Sequence, residues 1–460
     1  MKKLKRVLIA NRGEIALRAT HTCKRLGIET VAVYSKPDAA SPHVWLSDRA
    51  FCIGPAAASE SYLQGNALIH VAQRTNCDAV YPGYGFLSEN PSFAVKCKKY
   101  KIKFIGPSPE TIKMMGDKAM AREKAHQHNV PVVPGSEKVY LDHAKALKRS
   151  KAIGFPLLLK ARAGGGGKGM RVVSDENTFK DAFQEASREA YSSFGDGALY
   201  IEKFFQNVRH VEVQILGDGK GNAIAFAERD CSVQRRHQKL IEESPSPLVD
   251  NKMRSKLLDA AMALAKGIKY EGAGTIEFIL DSRTNSFFFI EMNTRIQVEH
   301  PVTEFCHNID LVEAQFRIAA KADLSPFKKF LTWSGHAIEF RINAEDWQNN
   351  FAPSPGVVRS WHPPKGKGVR IDTAIHENAV VSPYYDSMIA KLIIYAKTRK
   401  DVIDQARTAF SRFHCTGVKT TIGFHKMLLQ HDAFIKNRIY TRWIESELSL
   451  NENGAPANEP

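Results

Sequence analysis

Residues 274–293, GTIEFILDSRTNSFFFIEMN, contain two apolar runs that are separated by a polar turn sequence. The apolar runs have the composition of β-strands, and DSRTNS has that of a turn. A turn centred at Thr284 places Glu277 directly opposite Glu291. The two-residue period of a strand adds Asn293 to the same face. The stretch therefore predicts a hairpin with two facing glutamates.

Two like charges on facing apolar strands are destabilising unless a cation lies between them. Oxygen ligands, without cysteine or histidine, are typical of Mg²⁺ or Mn²⁺ sites. We therefore expect Glu277, Glu291 and Asn293 to bind divalent ions that bridge nucleotide phosphates. The alternative is one solvent-exposed glutamate and one paired with a lysine, which a register shift of one residue would produce.

The next segment, NTRIQVEHP at 293–301, alternates polar and apolar residues. If it is extended, as Pro301 favours for His300, its alternate positions hold Asn293, Arg295, Gln297 and Glu299. An arginine and a glutamate beside a metal site could bind and deprotonate a small anion.

A glycine-rich loop, GGGGKG at 164–169, precedes the predicted strand MRVV. A dinucleotide-binding loop would be followed by a helix, and a Walker A loop needs Ser or Thr where Gly169 follows Lys168. The alternatives that are left are a hairpin without a ligand and a flexible cover for a triphosphate. Lys160, on the strand before the loop, favours the second, in which the backbone of the loop binds phosphate.

The first part of the chain predicts a βαβ unit, with a strand at 5–10, a helix at 14–26 and a strand at 30–34. Further strands at 78–81 and 103–105 indicate one parallel sheet with helices between the strands. This pattern is typical of a doubly wound α/β domain.

We divide the chain into a doubly wound domain (1–115), a central α+β domain (116–330) with a lid at about 132–204, and a β-rich C-terminal domain (331–446). The polar residues 447–460 are expected to be a disordered tail.

Seven motifs in this chain together resemble the biotin carboxylase family: ANRGEIA (10–16), YPGYGFLSEN (81–90), GDKAMAR (116–122), KARAGGGGKGM (160–170), ERDCSVQRRHQK (228–239), IEMNTRIQVEHPVTE (290–304) and YYDSMIAKL (384–392). The resemblance extends from about residue 3 to 445. QRRHQK together with EMNTRIQVEHPVTE separates this family from other ATP-grasp ligases. The sequence departs from the family at NVRH (207–210), which lacks the proline common before Arg-His.

The resemblance implies an ATP-grasp central domain with a mobile lid and a mixed, β-rich C-terminal domain. By motif position it implies an ATP site at Lys118, Lys160, Gly164, Gly165, Gly166, Gly167, Glu202, Lys203, Phe205, His210, Gln234, His237, Glu277 and Glu291. Two Mg²⁺ (or Mn²⁺) ions would be bound by Glu277, Glu291 and Asn293. Bicarbonate would be bound by Lys239, Arg295, Gln297 and Val298, with Glu299 as general base, and Arg341 would stabilise the biotin enolate.

The implied reaction is ATP- and bicarbonate-dependent carboxylation of biotin on a separate carrier protein, through carboxyphosphate. The implied assembly is acetyl-CoA carboxylase, with a carboxyltransferase as a further partner and a homodimer of this chain. A two-subunit pyruvate carboxylase or another acyl-CoA carboxylase is the first alternative, and another ATP-grasp ligase is the second.

The composition bounds the remaining classes. The formal net charge of +16 is compatible with nucleic-acid binding, but the basic residues are spread along the chain, and an enzyme for anionic substrates would use the same potential. The seven cysteines include no C-x-x-C pair, which favours a reducing compartment. The apolar run near the N-terminus is too short for a signal peptide, and no run approaches the ~18 residues of a membrane span. We therefore expect a cytoplasmic protein that binds neither membrane nor nucleic acid.

Overall fold

The computed structural model describes residues 4–136, 138–162 and 170–448. The predicted glycine cover, Gly164 to Gly167, and the predicted tail beyond Leu448 lie outside the described residues. Among the helices that are described, none is both long and apolar enough to cross a bilayer.

The N-terminal part is a five-stranded parallel sheet in the order β3-β2-β1-β4-β5, with helices connecting the strands. This order confirms the predicted doubly wound arrangement. The strands are β1 (Arg6–Ile9), β2 (Glu29–Ser35), β3 (Arg49–Gly54), β4 (Ala79–Tyr81) and β5 (Lys103–Phe104). The helices are α1 (Gly13–Arg25), α2 (Pro42–Leu46), α3 (Gly65–Arg74), α4 (Pro91–Lys99) and α5 (Pro109–Gly116), with 3₁₀ turns at Lys36–Asp38 and Ala58–Glu60.

The strand β3 was not predicted from the sequence. It forms the edge of the sheet, and most of its side chains are exposed or half-buried. An edge strand that begins with Arg49 and ends with Gly54 has no apolar run, so the usual signal of a buried parallel strand is missing.

A small antiparallel sheet follows, in the order β7-β6-β8. Its strands are β6 (Leu157–Ala161), β7 (Met170–Val173) and β8 (Leu199–Lys203), and its helices are α6 (Lys118–Gln127), α7 (His143–Ile153) and α8 (Glu176–Phe194). Lys160 pairs with Met170 in the β6–β7 register. The glycine-rich residues therefore connect two antiparallel strands, as predicted, rather than a strand and a helix.

The largest sheet has nine strands, with the path β14-β13-β9-β11-β12-β15-β22-β20 and β10 beside β9. Its central strands are β9 (Arg209–Asp218), β10 (Ala223–Ala225), β11 (Arg229–Arg235), β12 (Gln238–Ser244), β13 (Glu271–Asp281) and β14 (Ser286–Asn293). Helices α9 (Asn251–Gly267), α10 (His300–His307) and α11 (Leu311–Ala319), with a 3₁₀ turn at Ser325–Phe330, belong to the same part of the chain. The antiparallel pairing of β12 with β15 extends this sheet into the C-terminal part.

The C-terminal part is rich in short strands, as predicted. Its strands are β15 (His336–Asn343), β16 (Glu345–Asp346), β17 (Ala352–Pro353), β18 (Gly356–Val357), β19 (Ser360–His362), β20 (Val369–Thr373), β21 (Val380–Val381), β22 (Met388–Ala396) and β23 (His414–Thr416). Its helices are α12 (Arg399–Ser411), α13 (Ile422–Leu428), α14 (Asp432–Ile435) and α15 (Trp443–Glu447). Helix α12 packs against β15 and β22 over an apolar core that includes Phe340, Leu392 and Phe410.

The β13–β14 hairpin places Glu277 directly opposite Glu291, as the sequence predicts. The symmetric turn assumed in that prediction is wrong. The strands pair from Asp281 and Ser286 onward, and a bulge between the Glu277 and Phe278 pairs leaves Ile290 without a partner. A bulge inserts one residue into one strand and shifts the register by one. The bulge and the different turn position compensate, so the glutamates still share one face.

Candidate active site

The predicted site residues surround one large cavity of about 1880 Å³. A drug-sized ligand fills roughly 300–1,000 Å³, so this cavity has room for a nucleotide and a second substrate. All of the predicted residues within the described ranges line it except Glu299: Lys118, Lys160, Glu202, Lys203, Phe205, His210, Gln234, His237, Lys239, Glu277, Glu291, Asn293, Arg295, Gln297, Val298 and Arg341.

Glu277 is buried and surrounded by hydrogen-bond donors. Its Oε1 accepts hydrogen bonds from Asn293 Nδ2 and Gln297 Nε2, each at 2.7 Å. Lys239 Nζ lies 3.3 Å from Oε1, and His210 Nε2 lies 2.8 Å from Oε2. Burial alone would raise the pKa of Glu277, but the charges of Lys239 and His210 hold it below the ordinary value of a glutamate.

Glu291 has the opposite environment. No residue that the structure describes donates a hydrogen bond to its carboxylate. Burial, and then the negative charge of Glu277, raise the pKa of Glu291 above its usual value. Lys118, the first residue of α6, opposes this effect with its positive charge. The pair thus consists of one satisfied carboxylate and one that lacks a donor, which fits the chemistry of a divalent cation.

Lys239 on β12 is the central cation of the site. Its Nζ lies 2.6 Å from Glu212 Oε2 and 2.7 Å from Glu299 Oε1, in addition to its contact with Glu277. His210, Glu212 and Glu277 could form a metal-binding cluster by the mutual distances of their ligand atoms, and so could Glu212, Cys231 and Glu299. The ammonium group of Lys239 touches a carboxylate of both clusters and compensates their charge.

Glu299 lies behind the cavity wall, with 0% exposure. It contacts Lys239, and Arg341 NH2 donates to its Oε2 at 3.1 Å. Burial would raise the pKa of Glu299, but Lys239, Arg341 and Arg229 lower it well below the ordinary value. The carboxylate is therefore ionised at neutral pH and can accept a proton.

The extended conformation predicted for the segment after Asn293 is wrong. Residues 298 and 299 form a turn, and α10 begins at His300. Proline restricts the residue before it, but its fixed φ and its missing N–H group also suit the first turn of a helix. Here the helix prevails, and the turn brings the Glu299 carboxylate to Lys239.

Arg295 joins the site to the N-terminal part. Its Nε donates to Glu89 Oε2 at 2.9 Å, and its NH2 donates to Asn293 Oδ1 at 2.7 Å. Glu89 also accepts a hydrogen bond from the backbone N–H of Thr294. Sequence reasoning assigned no role to Glu89, although it lies within the motif YPGYGFLSEN.

The residues predicted to bind the nucleotide lie on the small antiparallel sheet and on the β11–β12 turn. Lys160 Nζ donates to Glu202 on the neighbouring strand β8. Lys203 Nζ donates to the carbonyl oxygens of Gly154 and Phe155 at 2.9 and 2.7 Å. His237 is in the turn between β11 and β12 with a positive φ of 65°, a conformation that is uncommon outside glycine and is often found at functional sites.

Two buried residues beneath the cavity were missed. Glu212 and Arg229 both have 0% exposure, and their side chains are 2.5 Å apart. Gln214, Thr275 and Thr303 also accept hydrogen bonds from Arg229. A glutamate between the valines of RHVEVQIL was the available signal, because a charged residue on an otherwise buried strand requires a partner.

Comparison with known proteins agrees with this geometry. Three family models match consecutive parts of the chain: "Biotin carboxylase, N-terminal domain" (residues 3–112), "Carbamoyl-phosphate synthase L chain, ATP binding domain" (117–327) and "Biotin carboxylase C-terminal domain" (339–446). The chain is 48% identical over 443 residues to biotin carboxylase 1 of Bacillus subtilis, a match that covers 96% of this chain and 98% of that relative. It is 43% identical over 440 residues to one of the subunits of the pyruvate carboxylase of Methanothermobacter thermautotrophicus, with 96% and 89% covered.

A solved structure extends the comparison. The biotin carboxylase domain dimer of Hydrogenobacter thermophilus 2-oxoglutarate carboxylase, in complex with MgADP, ADP and bicarbonate, is 43% identical and superposes with a TM-score of 0.88. The match covers 97% of this chain and 98% of that chain. Since the family models match the chain along nearly its whole length and the relatives share more than two fifths of its residues, the chain belongs to the biotin carboxylase family of ATP-dependent ligases.

Proposed function

We propose that the chain carboxylates biotin on a separate carrier protein, using Mg-ATP and bicarbonate, with carboxyphosphate as the intermediate. The observation that carries this proposal is the position of Lys239. This lysine links Glu277, one half of the facing glutamate pair, to Glu299, which in turn contacts Arg341. A phosphate-binding region and a buried base are thus connected through one cation.

The ATP site is proposed at the residues that line the cavity on the side of β6 and β8. Lys118 and Lys160 are proposed to bind phosphate oxygens, and the glycine-rich residues 164–167 are proposed to cover them. Glu277, Glu291 and Asn293 are proposed to hold two Mg²⁺ or Mn²⁺ ions. When bound, such ions would neutralise phosphate charge and orient the terminal phosphate. The lack of a donor at Glu291 among the described residues supports this assignment.

The bicarbonate site is proposed between Lys239, Arg295, Gln297 and Val298, next to Glu299. The cations around Glu299 keep it ionised, but they also make it a weak base. An anion that binds to Lys239 would share the hydrogen-bond donors of this lysine. Glu299 would then gain basicity when its substrate arrives.

Arg341 is proposed to stabilise the enolate form of biotin. Its NH2 is bound to Glu242 and Glu299, while no hydrogen bond from its NH1 is found within the part of the chain that the structure describes. This nitrogen is available for a ligand in the cavity. A guanidinium is suited to a planar, delocalised anion because it presents several donors in one plane.

The carboxyl acceptor is proposed to be acetyl-CoA, so that the chain would be the biotin carboxylase subunit of acetyl-CoA carboxylase. Its partners would be a biotin carboxyl carrier protein, a carboxyltransferase and a second copy of the chain, in the cytoplasm. The similarity to part of a pyruvate carboxylase and to a 2-oxoglutarate carboxylase domain makes these acceptors the main alternatives.

The test is a pair of assays on the purified chain. With Mg-ATP and labelled bicarbonate, we expect ATP hydrolysis that requires bicarbonate and increases with free biotin, together with formation of carboxybiotin. Hydrolysis that ignores both would indicate another ATP-grasp ligase, and salt-sensitive retardation of DNA or RNA in a gel would indicate the nucleic-acid alternative.

The acceptor is tested separately. The biotinylated carrier and the transferase that copurify with the chain are supplied with acetyl-CoA, pyruvate or 2-oxoglutarate. Transfer of labelled carboxylate to acetyl-CoA is the expected result, and transfer to pyruvate or 2-oxoglutarate alone would replace acetyl-CoA carboxylase by the corresponding assembly.

A further inference from the structure

A second pair of glutamates lies directly behind Arg341. Glu242 on β12 and Glu339 on β15 are opposite one another in the register of these strands. Both side chains have 0% exposure. Directly opposed residues have their Cβ atoms about 4.5–5.5 Å apart, so the two carboxyl groups share one face of the sheet. Arg341 follows Glu339 by two residues and therefore lies on the same face.

Glu242 holds the inner side of the Arg341 guanidinium. Arg341 Nε donates to Glu242 Oε1 at 2.6 Å, and NH2 lies 2.5 Å from the same oxygen. The longer contact of NH2 with Glu299, at 3.1 Å, is the other anchor. Glu242 thus fixes the direction in which the remaining nitrogen, NH1, points.

The other oxygens of the pair have no donor. Glu242 Oε2 and both oxygens of Glu339 are buried and accept no hydrogen bond from any described residue. The nearby cation Lys391 is engaged elsewhere, since its Nζ lies 3.0 Å from Glu14 Oε1 and 2.9 Å from the carbonyl oxygen of Val298. A buried ionised carboxylate without a donor is strongly disfavoured, whereas a protonated carboxyl brings its own donor.

The charges around the pair agree with this argument. Burial raises the pKa of Glu339 well above its usual value, although Lys391 opposes the shift. Burial also raises the pKa of Glu242 to about 7, against the effect of Arg341. Two facing carboxyls in a dry environment cannot both ionise easily, and such pairs hold one proton between them.

We propose that Glu242 and Glu339 share one proton and together position Arg341, with Glu339 carrying the proton and Glu242 binding the guanidinium. The inference rests on the proposed role of Arg341 in the biotin half of the reaction. One shared proton limits the pair to a single negative charge. Arg341 is then anchored by Glu242 and Glu299 without a third carboxylate competing for NH1.

The test compares three isosteric variants, each assayed for biotin carboxylation and for bicarbonate-dependent ATP hydrolysis without biotin. Glu242→Gln removes the anionic anchor and is expected to lower biotin carboxylation by about 10- to 100-fold, the usual effect of losing a residue that orients a functional group, while ATP hydrolysis changes little. Glu339→Gln replaces the shared proton with an amide donor and is expected to retain both activities.

The matched control is Glu243→Gln. Glu243 is the next residue on β12, is buried to a similar degree, and binds His336 and Arg399 on the opposite face of the strand. This variant is expected to leave the ratio of the two activities unchanged. The proposal is overturned if Glu242→Gln carboxylates biotin normally, if it lowers both activities in parallel, or if Glu339→Gln loses biotin carboxylation as Glu242→Gln does.

Infrared difference spectroscopy tests the proton independently of activity and of the stability of Glu242→Gln. The carbonyl stretch of a buried protonated carboxyl is expected in the unmodified chain and in Glu243→Gln, and is expected to disappear in Glu339→Gln. Its absence from the unmodified chain, or its persistence in Glu339→Gln, would overturn the shared proton. If Arg341→Ala itself carboxylated biotin normally, the proposed role of Arg341 would fail instead, and the infrared result would still stand.

Discussion

Glu277 and Glu291 are direct cross-strand neighbours with opposite electrostatic environments. The pKa of Glu277 is lowered by Lys239 and His210 in spite of burial, and that of Glu291 is raised by burial and by the charge of Glu277. The hairpin therefore carries one compensated and one uncompensated carboxylate. A cation that binds between them gains most of its stabilisation from Glu291.

The variant Glu291→Gln tests this asymmetry. Without metal, it should be more stable than the unmodified chain, because the charge opposite Glu277 is removed, and the expected gain is about 0.2–1 kcal/mol. With Mg-ATP, the unmodified chain should gain about 2.7 kcal/mol at a hundredfold excess over the dissociation constant, and the variant should gain much less. Thermal unfolding with and without Mg-ATP measures both effects.

The control for this experiment is Glu60→Gln, which changes an exposed glutamate. It should show the same response to Mg-ATP as the unmodified chain. A Glu291→Gln variant that is less stable than the unmodified chain without metal would contradict the repulsion between the two glutamates.

The variant Arg341→Ala should separate the two halves of the reaction. Arg341 is assigned to the biotin enolate, which forms after carboxyphosphate, so we expect carboxybiotin formation to be abolished. Part of the bicarbonate-dependent ATP hydrolysis should continue. Parallel measurement of labelled carboxybiotin and released phosphate gives both rates, and normal carboxybiotin formation would disprove the enolate role.

The variant Glu299→Gln should instead remove both activities. Glu299 is assigned to the deprotonation of bicarbonate, which precedes both products, and the loss of such a group costs about 10²–10⁴-fold. The same two assays apply. A variant that loses carboxybiotin formation but keeps bicarbonate-dependent ATP hydrolysis would be inconsistent with a base that acts on bicarbonate.

Local patterns predicted the parts of the site that depend on local geometry. The pairing of Glu277 with Glu291 followed from the two-residue period of a strand, and the β6–β7 hairpin followed from the apolar run on each side of the glycines. The bulge at Ile290 was not predictable, because a single inserted residue leaves no mark on composition.

The interior partners of the site escaped prediction because they come from distant parts of the chain. Lys239 approaches Glu212 across 27 positions and Glu299 across 60. Glu242 meets Glu339 only because β12 and β15 pair. Each of these residues is a charged side chain within an apolar strand, so the sequence indicates that a partner exists, while the sheet order, which the sequence does not specify, determines which partner it is.

Removal of the central cation should be both destabilising and inactivating. Lys239→Gln leaves Glu212, Glu277 and Glu299 without the ammonium that they share, and breaking a buried ion pair from one side costs about 3–5 kcal/mol. The double variant with Glu212→Gln removes one of the uncompensated charges and should recover part of the stability. Activity should not return, because Lys239 is also assigned to bicarbonate; a double variant that regains activity would reduce Lys239 to a structural role.

The acid sensitivity of the fold should depend on Glu243. Burial would raise the pKa of this carboxyl, but Arg399 and His336 lower it from 4.5 to about 2. A lowered pKa contributes stability that is fully present above the unfolded value and is lost as the pH falls through the folded value. Glu243→Gln should therefore be less stable than the unmodified chain at pH 7, by about 3 kcal/mol, and this difference should shrink between pH 4.5 and 2. Urea unfolding of both proteins across this range measures the difference, with Glu60→Gln as the control, and a difference that stays constant down to pH 2 would show that Glu243 contributes through packing rather than charge.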